Sequence, residues 1–151
     1  MSTQNTRMID VSSKKETQRL ATARARININ KDTLAMVRKN NIPKGDVLAV
    51  AQAAGILAAK QTPGLIPLCH PLLLSSISVD FSLPVRSSYI DITATVKGKG
   101  QTGFEMEALT AAAIAALTIY DMCKMFDRGM TITGLRLVKK SGGKSGDYTA
   151  E

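Results

Sequence analysis

Asp121 and Lys124 have the spacing in this sequence that best suits acid–base chemistry. Residues three apart lie on one face of a helix, so the carboxylate would stand beside the ammonium group. An exposed ion pair of this kind contributes little to stability and implies no function. At the rim of a buried helix, however, the pair would have shifted pKa values and could move protons. The spacing alone leaves both interpretations open.

Cys69 and His70 form a second candidate, within residues 66–72 (IPLCHPL). The prolines on both sides of the pair predict a stiff, extended loop that is neither helix nor strand. The chain has two cysteines and one histidine, and adjacent residues rarely bind one tetrahedral zinc ion, so the sequence predicts no metal site. Two cysteines are too few for a disulfide framework, although a single bridge stays open as an alternative.

Gly98, Gly100 and Gly103 form a G-x-G-x-x-G pattern between a predicted strand and a predicted helix. A dinucleotide-binding loop requires a buried parallel strand before the glycines. Here the preceding strand alternates as in an antiparallel hairpin, and Glu105 and Glu107 would repel a pyrophosphate at the helix start. The pattern therefore favours a glycine-rich turn.

Basic residues recur in the C-terminal segment 140–146 (KSGGKSG). Its Gly-Lys-Ser resembles the end of a phosphate-binding loop, but Val138 stands where that motif needs glycine and no helix follows. Two interpretations remain: a mobile terminus, or a basic arm that closes over a bound anion.

The composition indicates one globular domain with a polyanionic partner. The 151 residues are 44% hydrophobic, and the formal net charge of +8 favours nucleic acid, a lipid surface or a phosphorylated small molecule. Aromatic residues make up only 4%, so the core is expected to consist of Ala, Leu, Ile, Val and Met. The N-terminal residues have no apolar signal region, and we expect a cytoplasmic protein without membrane contact.

Hydrophobic periodicity predicts the elements of the N-terminal half. Residues 20–29 alternate between apolar and polar types, as a half-exposed strand does. A short helix over about 31–39 follows, with Asn30 as its N-cap. A second helix over about 46–60 is expected to end before Pro63.

The C-terminal half predicts a hairpin, a long helix and one more strand. Residues 77–83 and 90–96 alternate on either side of a turn. The long helix spans about 105–126, with Thr102 and Glu105 at capping-box spacing. It is apolar nearly all round from 108 to 119, so it should be buried on several sides or lie in a subunit interface. A fourth strand covers about 131–138.

Together these elements predict a single catalytic α+β domain over residues 1–151. We expect an antiparallel sheet of about four strands packed against helices, in a ferredoxin-like arrangement. The terminal segments, about 1–10 and 140–151, are expected to be flexible.

Five blocks of this sequence closely resemble the MoaC family, and they occur in the right order from Met8 to Asp147. The blocks are residues 8–12 (MIDVS) followed by Lys14, Thr17 and Arg19, residues 66–72 (IPLCHPL), residues 103–110 (GFEMEALT), residues 115–124 (AALTIYDMCK) and residues 140–146 (KSGGKSG).

The resemblance implies an enzyme of molybdenum-cofactor biosynthesis, a lyase. Its substrate would be (8S)-3′,8-cyclo-7,8-dihydroguanosine 5′-triphosphate, made by an upstream radical enzyme. The product would be a tricyclic pyranopterin with a cyclic phosphate, formed with release of pyrophosphate. The resemblance also implies a homohexameric assembly, a hexamer of dimers, with active sites at the dimer interface. No cofactor is required, and Mg²⁺ could accompany the triphosphate.

The resemblance assigns roles to twelve residues. Asp121, Lys124 and Lys44 would be catalytic, because opening one ring and closing another requires protons to move on and off nitrogen and oxygen. Cations would stabilise the charge on phosphate oxygens as pyrophosphate leaves. The implied substrate-binding residues are Leu68, Cys69, His70, Met106, Glu107, Lys140, Lys144, Lys14 and Arg19.

Two other functions fit parts of the sequence. A nucleic-acid-binding module would explain the charge, but aromatic residues for base stacking are scarce and no RNP, KH or zinc-finger signature occurs. A non-catalytic nucleotide-binding domain would keep the pocket without the chemistry. The intact set of Asp121, Lys124 and Lys44 argues against that second alternative.

Overall fold

Three helices cover one face of a sheet in the computed structural model, which describes residues 5–150. The elements, in chain order, are β1 (Thr17–Asn28), α1 (Lys31–Arg38), α2 (Val47–Leu65), β2 (Leu74–Ser82), β3 (Tyr89–Gly100), α3 (Glu105–Cys123), β4 (Thr131–Ser141) and β5 (Tyr148–Thr149).

The sheet is antiparallel throughout, with strand order β2-β3-β1-β4-β5. The first four strands and their helices have the predicted ferredoxin-like arrangement, so the predicted α+β class is confirmed. The sheet has five strands rather than about four, because Thr149 and Tyr148 pair with Lys139 and Lys140. The expected flexibility of the terminal segments stays a prediction, and residues 1–4 and 151 lie outside the described residues.

The core lies between the sheet and the helices α2 and α3. Alternation in β1 turns its apolar residues toward the helices, opposite the apolar residues of β3. Alanines dominate the buried side of α3, and their small side chains allow close packing. At Gly55 of α2, an added Cβ would lie 3.0 Å from the carbonyl oxygen of Ala111, so the two helices nearly touch there. The buried residues of these elements are Ala21, Ala23, Ala25, Ile27, Ile90, Ile92, Ala94, Val96, Ala108, Ala111, Ala112, Ala115, Ala116 and Ile119.

The end of α2 was predicted wrongly. Pro63 lies inside the helix, which continues to Leu65. A proline at this position removes the bond that its own N–H would have donated to the carbonyl of Ala59, and its ring crowds that carbonyl. The turn persists because Thr62 is buried, its hydroxyl donates to the carbonyl of Ala58 at 3.0 Å, and its own carbonyl accepts from the N–H of Ile66 at 2.9 Å.

The predicted capping box of α3 is also wrong. The N-cap is Phe104, which makes no side-chain capping bond. Its ring is fully buried, and an added Cβ at Gly98 would lie 2.6 Å from it, so packing on the ring rather than a cap fixes the helix start. The predicted glycine-rich turn is wrong for Gly98 and Gly100, which lie in β3, and only Gly103 lies between strand and helix.

Among the described residues, α3 is the one helix long and apolar enough to cross a membrane, with a mean hydropathy of 1.3. Half of that apolar window is buried inside the domain, under the sheet and α2. A core helix has the same properties, and burial on several sides was one of the two alternatives expected for this segment, beside a place in a subunit interface.

Candidate active site

Asp121 joins two ammonium groups at the C-terminal end of α3. Its Oδ1 lies 2.8 Å from Nζ of Lys124, and its Oδ2 lies 2.8 Å from Nζ of Lys44. Nζ of Lys44 also donates to the carbonyl oxygen of Asp121 at 3.1 Å. The three residues assigned catalytic roles by resemblance are thus in direct contact.

Two local structures position these side chains. Lys124 is the C-cap of α3, one turn after Asp121, as the spacing predicted. Lys44 lies 77 residues before Asp121, in a turn closed by a 3.0 Å bond from the N–H of Gly45 to the carbonyl of Ile42. Proline at the second position and a glycine with φ of 108° suit this tight turn, which projects Lys44 toward the helix end.

Neighbouring charges at this helix end shift the pKa values of Asp121 and Lys124. Hydrogen bonds from Lys124 and Lys44 lower the pKa of Asp121 to about 2, and the bond to Asp121 raises the pKa of Lys124. All three side chains are 41–56% exposed, so the cluster is open to a ligand. The cluster presents two amine groups held side by side by one carboxylate.

A cavity of about 620 Å³ lies at the other end of α3. From the described part of the chain, five cationic side chains and one carboxylate line it, so it suits an anion. The charged lining residues are Lys14, Lys15, Arg19, Lys140, Lys144 and Glu105. Four of these cations, all but Lys15, were assigned to substrate binding by resemblance.

Backbone and side-chain contacts hold two of the cations in place. The guanidinium of Arg19 donates to the carbonyls of Gly100 and Gln101 at 3.0 and 3.2 Å. Nζ of Lys140 lies 3.1 Å from Oε1 of Glu105 and 3.1 Å from Oγ of Ser145. Three residues that follow β4, Gly143, Lys144 and Ser145, thus line the cavity.

The Cys-His loop adjoins the first turn of α3. Sγ of Cys69 lies 3.8 Å from Oε1 of Glu107, and Nε2 of His70 lies 2.7 Å from the carbonyl oxygen of Ile9. Glu107 is 1% exposed, and its Oε2 has no hydrogen-bond partner within residues 5–150. Burial raises the pKa of Glu107, and it also raises the pKa of the Cys69 thiol.

Leu68 and Met106 remain accessible beside these buried groups. Leu68 lies in the turn at 66–69, and Met106 lies on the first turn of α3 next to Glu107. Both cysteines are free, so the bridge that was left open as an alternative is not formed. Within residues 5–150, no three His, Cys, Asp or Glu side chains are grouped closely enough to hold a metal ion together.

The predicted site residues thus form two groups at opposite ends of one helix. Glu107 and Asp121 are fourteen positions apart on α3, which corresponds to about 21 Å along the helix axis. Contacts within one chain therefore unite the catalytic group. Among the predicted substrate-binding residues, four cations line one cavity, and Cys69 contacts Glu107, but neither set reaches the catalytic group.

Sequence reasoning missed Glu105 as a site residue. The capping-box spacing assigned its side chain to the helix start, whereas the side chain extends to Lys140 and the cavity. The repulsion argument against a pyrophosphate was the available signal, because it placed this carboxylate where an anion would bind.

This chain is similar in sequence to known proteins along nearly its whole length. Residues 8–143 match the MoaC family. The chain is 57% identical, over 145 residues, to the cyclic pyranopterin monophosphate synthase of Thermoanaerobacter sp. (strain X514), covering 96% of this chain and 92% of that relative. It is 56% identical, over 142 residues, to the protein of the same name from Roseiflexus sp. (strain RS-1), covering 94% and 90%.

Proposed function

The chain belongs to the MoaC family, and we propose that it is a cyclic pyranopterin monophosphate synthase, a lyase of molybdenum-cofactor biosynthesis. The observation that carries this proposal is identity above 50% to enzymes of that name over nearly their full length. The substrate is then the cyclised dihydroguanosine triphosphate, and the products are the cyclic pyranopterin monophosphate and pyrophosphate.

The cavity at the start of α3 would bind the triphosphate. When a ribose oxygen attacks the inner phosphorus, its P–O bond forms as the bond to the leaving pyrophosphate breaks. Charge accumulates on the phosphate oxygens during this step, and fixed cations stabilise it. Lys14, Arg19, Lys140 and Lys144 provide such cations within one cavity.

Glu107 would recognise the base. A guanine-like edge presents N–H donors, and a carboxylate oxygen accepts them. The free Oε2 of Glu107 supports this role, because a buried acceptor without a partner is costly unless a ligand satisfies it. His70 and the backbone of Leu68 and Cys69 would complete that end of the site.

Lys44 and Lys124 would supply protons and positive charge to the rearranging rings. Asp121, with its pKa of about 2, is a weak base, so its principal role is to hold the two ammonium groups together. Each amine keeps donors for nitrogen or oxygen atoms of the substrate. The acid–base function of the group thus resides in the lysines that Asp121 positions.

We propose that a second subunit unites the two ends of the site. One nucleotide must reach both Glu107 and Lys124, and about 21 Å of α3 separates these ends in one chain. Exposed apolar residues on the outer side of the helices support an interface there: Val50, Leu57 and Leu117 are 45%, 53% and 53% exposed. A homohexameric assembly of dimers would pair the end of one α3 with the start of another.

The remaining expectations follow from the substrate. The enzyme would need no metal of its own, and Mg²⁺ would arrive with the triphosphate. It would act in the cytoplasm, on the product of an upstream radical enzyme, without nucleic-acid or membrane partners.

Turnover of the cyclised triphosphate tests this function. Purified protein should form pyrophosphate and the cyclic pyranopterin monophosphate in equal amounts, and the pterin is quantified by fluorescence after oxidation with an added chemical oxidant. If the triphosphate binds and neither product forms, the chain is a nucleotide-binding domain and the catalytic proposal is wrong.

A further inference from the structure

Among residues 5–150, Glu105 is the one acidic residue that lines the cationic cavity. Its carboxylate pairs with Lys140 at 3.1 Å, and Ser145 contacts the same ammonium group. The side chains of this pair are 28% and 25% exposed, which makes it the most sheltered ion pair within the described residues. The pair therefore holds Lys140 inside the cavity when no ligand is bound.

The Glu105 carboxylate lies in the cavity at the start of α3, a position that also suits a phosphate oxygen. Glu105 is the first residue of α3, and its carboxylate folds back against Gly103, where any Cβ would overlap it. Near the first turn of a helix, the free N–H groups and the helix dipole favour a negative charge. The carboxylate thus combines the helix start with a lysine, as an anionic ligand of this cavity would.

We propose that Glu105 is a displaceable internal anion that makes the cavity discriminate between the bound triphosphate and free pyrophosphate. A phosphate group that enters must separate Lys140 from Glu105 and overcome the repulsion of the carboxylate. A nucleotide has further contacts, at Glu107 and His70, that compensate for this cost. Pyrophosphate has none, so it binds weakly and leaves after the bond to the inner phosphorus breaks.

This inference rests on the proposed function for the identity of the leaving group. The opposite role for Glu105 would be to bind Mg²⁺ on the triphosphate, which would make pyrophosphate bind more tightly. The two roles differ in the sign of the effect when the carboxylate is removed, so a binding measurement separates them.

The experiment is calorimetric titration of inorganic pyrophosphate into the full-length protein, with EDTA and again with Mg²⁺. Glu105→Gln should bind pyrophosphate about tenfold more tightly than the unmodified protein in EDTA. Glu16→Gln is the matched control, because it removes one negative charge near the cavity from an exposed pair with Lys99. Its effect should be less than about threefold.

Two further variants keep the test decisive. Gly103→Ala displaces the carboxylate without removing its charge, and it should also tighten pyrophosphate binding. In a Lys140→Met background, Glu105→Gln should have a much smaller effect, because the competition for Lys140 is gone.

Equal affinities in Glu105→Gln and Glu16→Gln would overturn the proposal. Weaker binding by Glu105→Gln in Mg²⁺ would also overturn it, in favour of a metal-binding carboxylate. Turnover of the cyclised triphosphate by the unmodified protein is measured separately, so failure of the proposed function does not change the binding result.

Discussion

Three acidic residues of α3 lie in three different environments. Asp121 stays ionised down to a pKa of about 2, because two ammonium groups donate to it. Glu107 is buried, and within residues 5–150 only one of its two carboxylate oxygens, Oε1, has a hydrogen-bond partner. Burial raises the pKa of this residue. Glu105 forms a sheltered ion pair with Lys140. These environments imply different responses to substitution and pH.

Replacing Lys124 with Ala should reduce turnover about 10²- to 10⁴-fold, the usual contribution of a positioned proton donor. The fold should persist, since an exposed ion pair contributes little to stability. Steady-state pyrophosphate release and the midpoint of thermal unfolding measure the two effects. Lys31→Ala, which removes an exposed lysine from the first turn of α1, is the control and should retain full activity. Undiminished turnover in Lys124→Ala would refute the role.

Replacing Glu107 with Gln should change how stability depends on pH. The folded chain has a pKa for Glu107 above the ordinary value of 4.5, so it binds more protons than the unfolded chain between the two values. The protonated Glu107 side chain makes its full contribution to the free energy of unfolding below pH 4.5. This contribution is lost as the pH rises through the pKa that Glu107 has in the folded chain. Glutamine cannot titrate, so the free energy of unfolding of the variant should increase relative to that of the unmodified protein as the pH rises.

Urea unfolding from pH 4 to pH 8, at one protein concentration, measures this gain. Glu16→Gln is again the control, because its carboxylate is exposed in the folded chain. A free-energy difference between Glu107→Gln and the unmodified protein that is constant with pH would show that Glu107 titrates alike in both states.

Sequence reasoning reached these residues unequally. The i, i+3 spacing predicted the contact of Asp121 with Lys124, because helix geometry alone determines it. Lys44 comes from a turn 77 residues away, and only tertiary packing brings it to Asp121, so the resemblance was needed to find it. Glu105 was missed because a local capping rule accounted for its side chain before any long-range partner was considered.

The elements were more predictable than their ends. Alternation predicted β1 to β4, and Asn30 caps α1 through a 2.7 Å bond from the N–H of Thr33, as expected. The start of α3 depends instead on Phe104, whose ring packs on β3. Such a contact joins residues through space, and hydrophobic periodicity carries no information about it. The glycines of β3 are therefore explained by packing rather than by a turn.

Gly98→Ala tests this role of β3. The added methyl group would meet the ring of Phe104 at 2.6 Å and the carbonyl oxygen of Leu73 at 2.7 Å. We expect a loss of about 1–3 kcal/mol in the free energy of unfolding, typical of overpacking. Gly100→Ala is the matched control in the same strand. Its nearest neighbour is the Cδ2 of Leu72 at 3.2 Å, which can move, so its loss should be smaller.

Urea unfolding of both variants measures the difference. Equal losses in Gly98→Ala and Gly100→Ala would mean that β3 tolerates a side chain beside Phe104, and the packing explanation of the α3 start would be wrong.

At the scale of the whole molecule, α3 is both part of the core of the domain and the spacer between the two groups of predicted site residues. Its buried alanines fix it against the sheet, so neither end can move toward the other without unpacking the core. The apolar character of the helix predicted burial or a subunit interface. Both are compatible with the described chain, because one side of α3 is buried while Leu117 is half exposed.

Mixing of inactive subunits tests whether two chains share one site. Lys124→Ala removes the catalytic end and Lys140→Ala removes the cation at the opposite end, so each variant alone should be inactive. In a shared site, a mixed dimer carries both changes in one site and leaves the other intact. After unfolding and refolding an equal mixture, up to about one quarter of the original turnover should return.

The double variant Lys124→Ala/Lys140→Ala, refolded with the unmodified chain, is the control that distinguishes the arrangements. If each site lies within one chain, the mixture of single variants stays inactive and the control mixture keeps about half of the turnover. If the site is shared, a mixed dimer of the control has one fault in each of its two sites, so only about one quarter should remain. Native mass spectrometry verifies that the subunits have mixed. If mixed dimers form and no turnover returns, the shared site is refuted. Each site would then lie within one chain despite the distance between the two ends of α3.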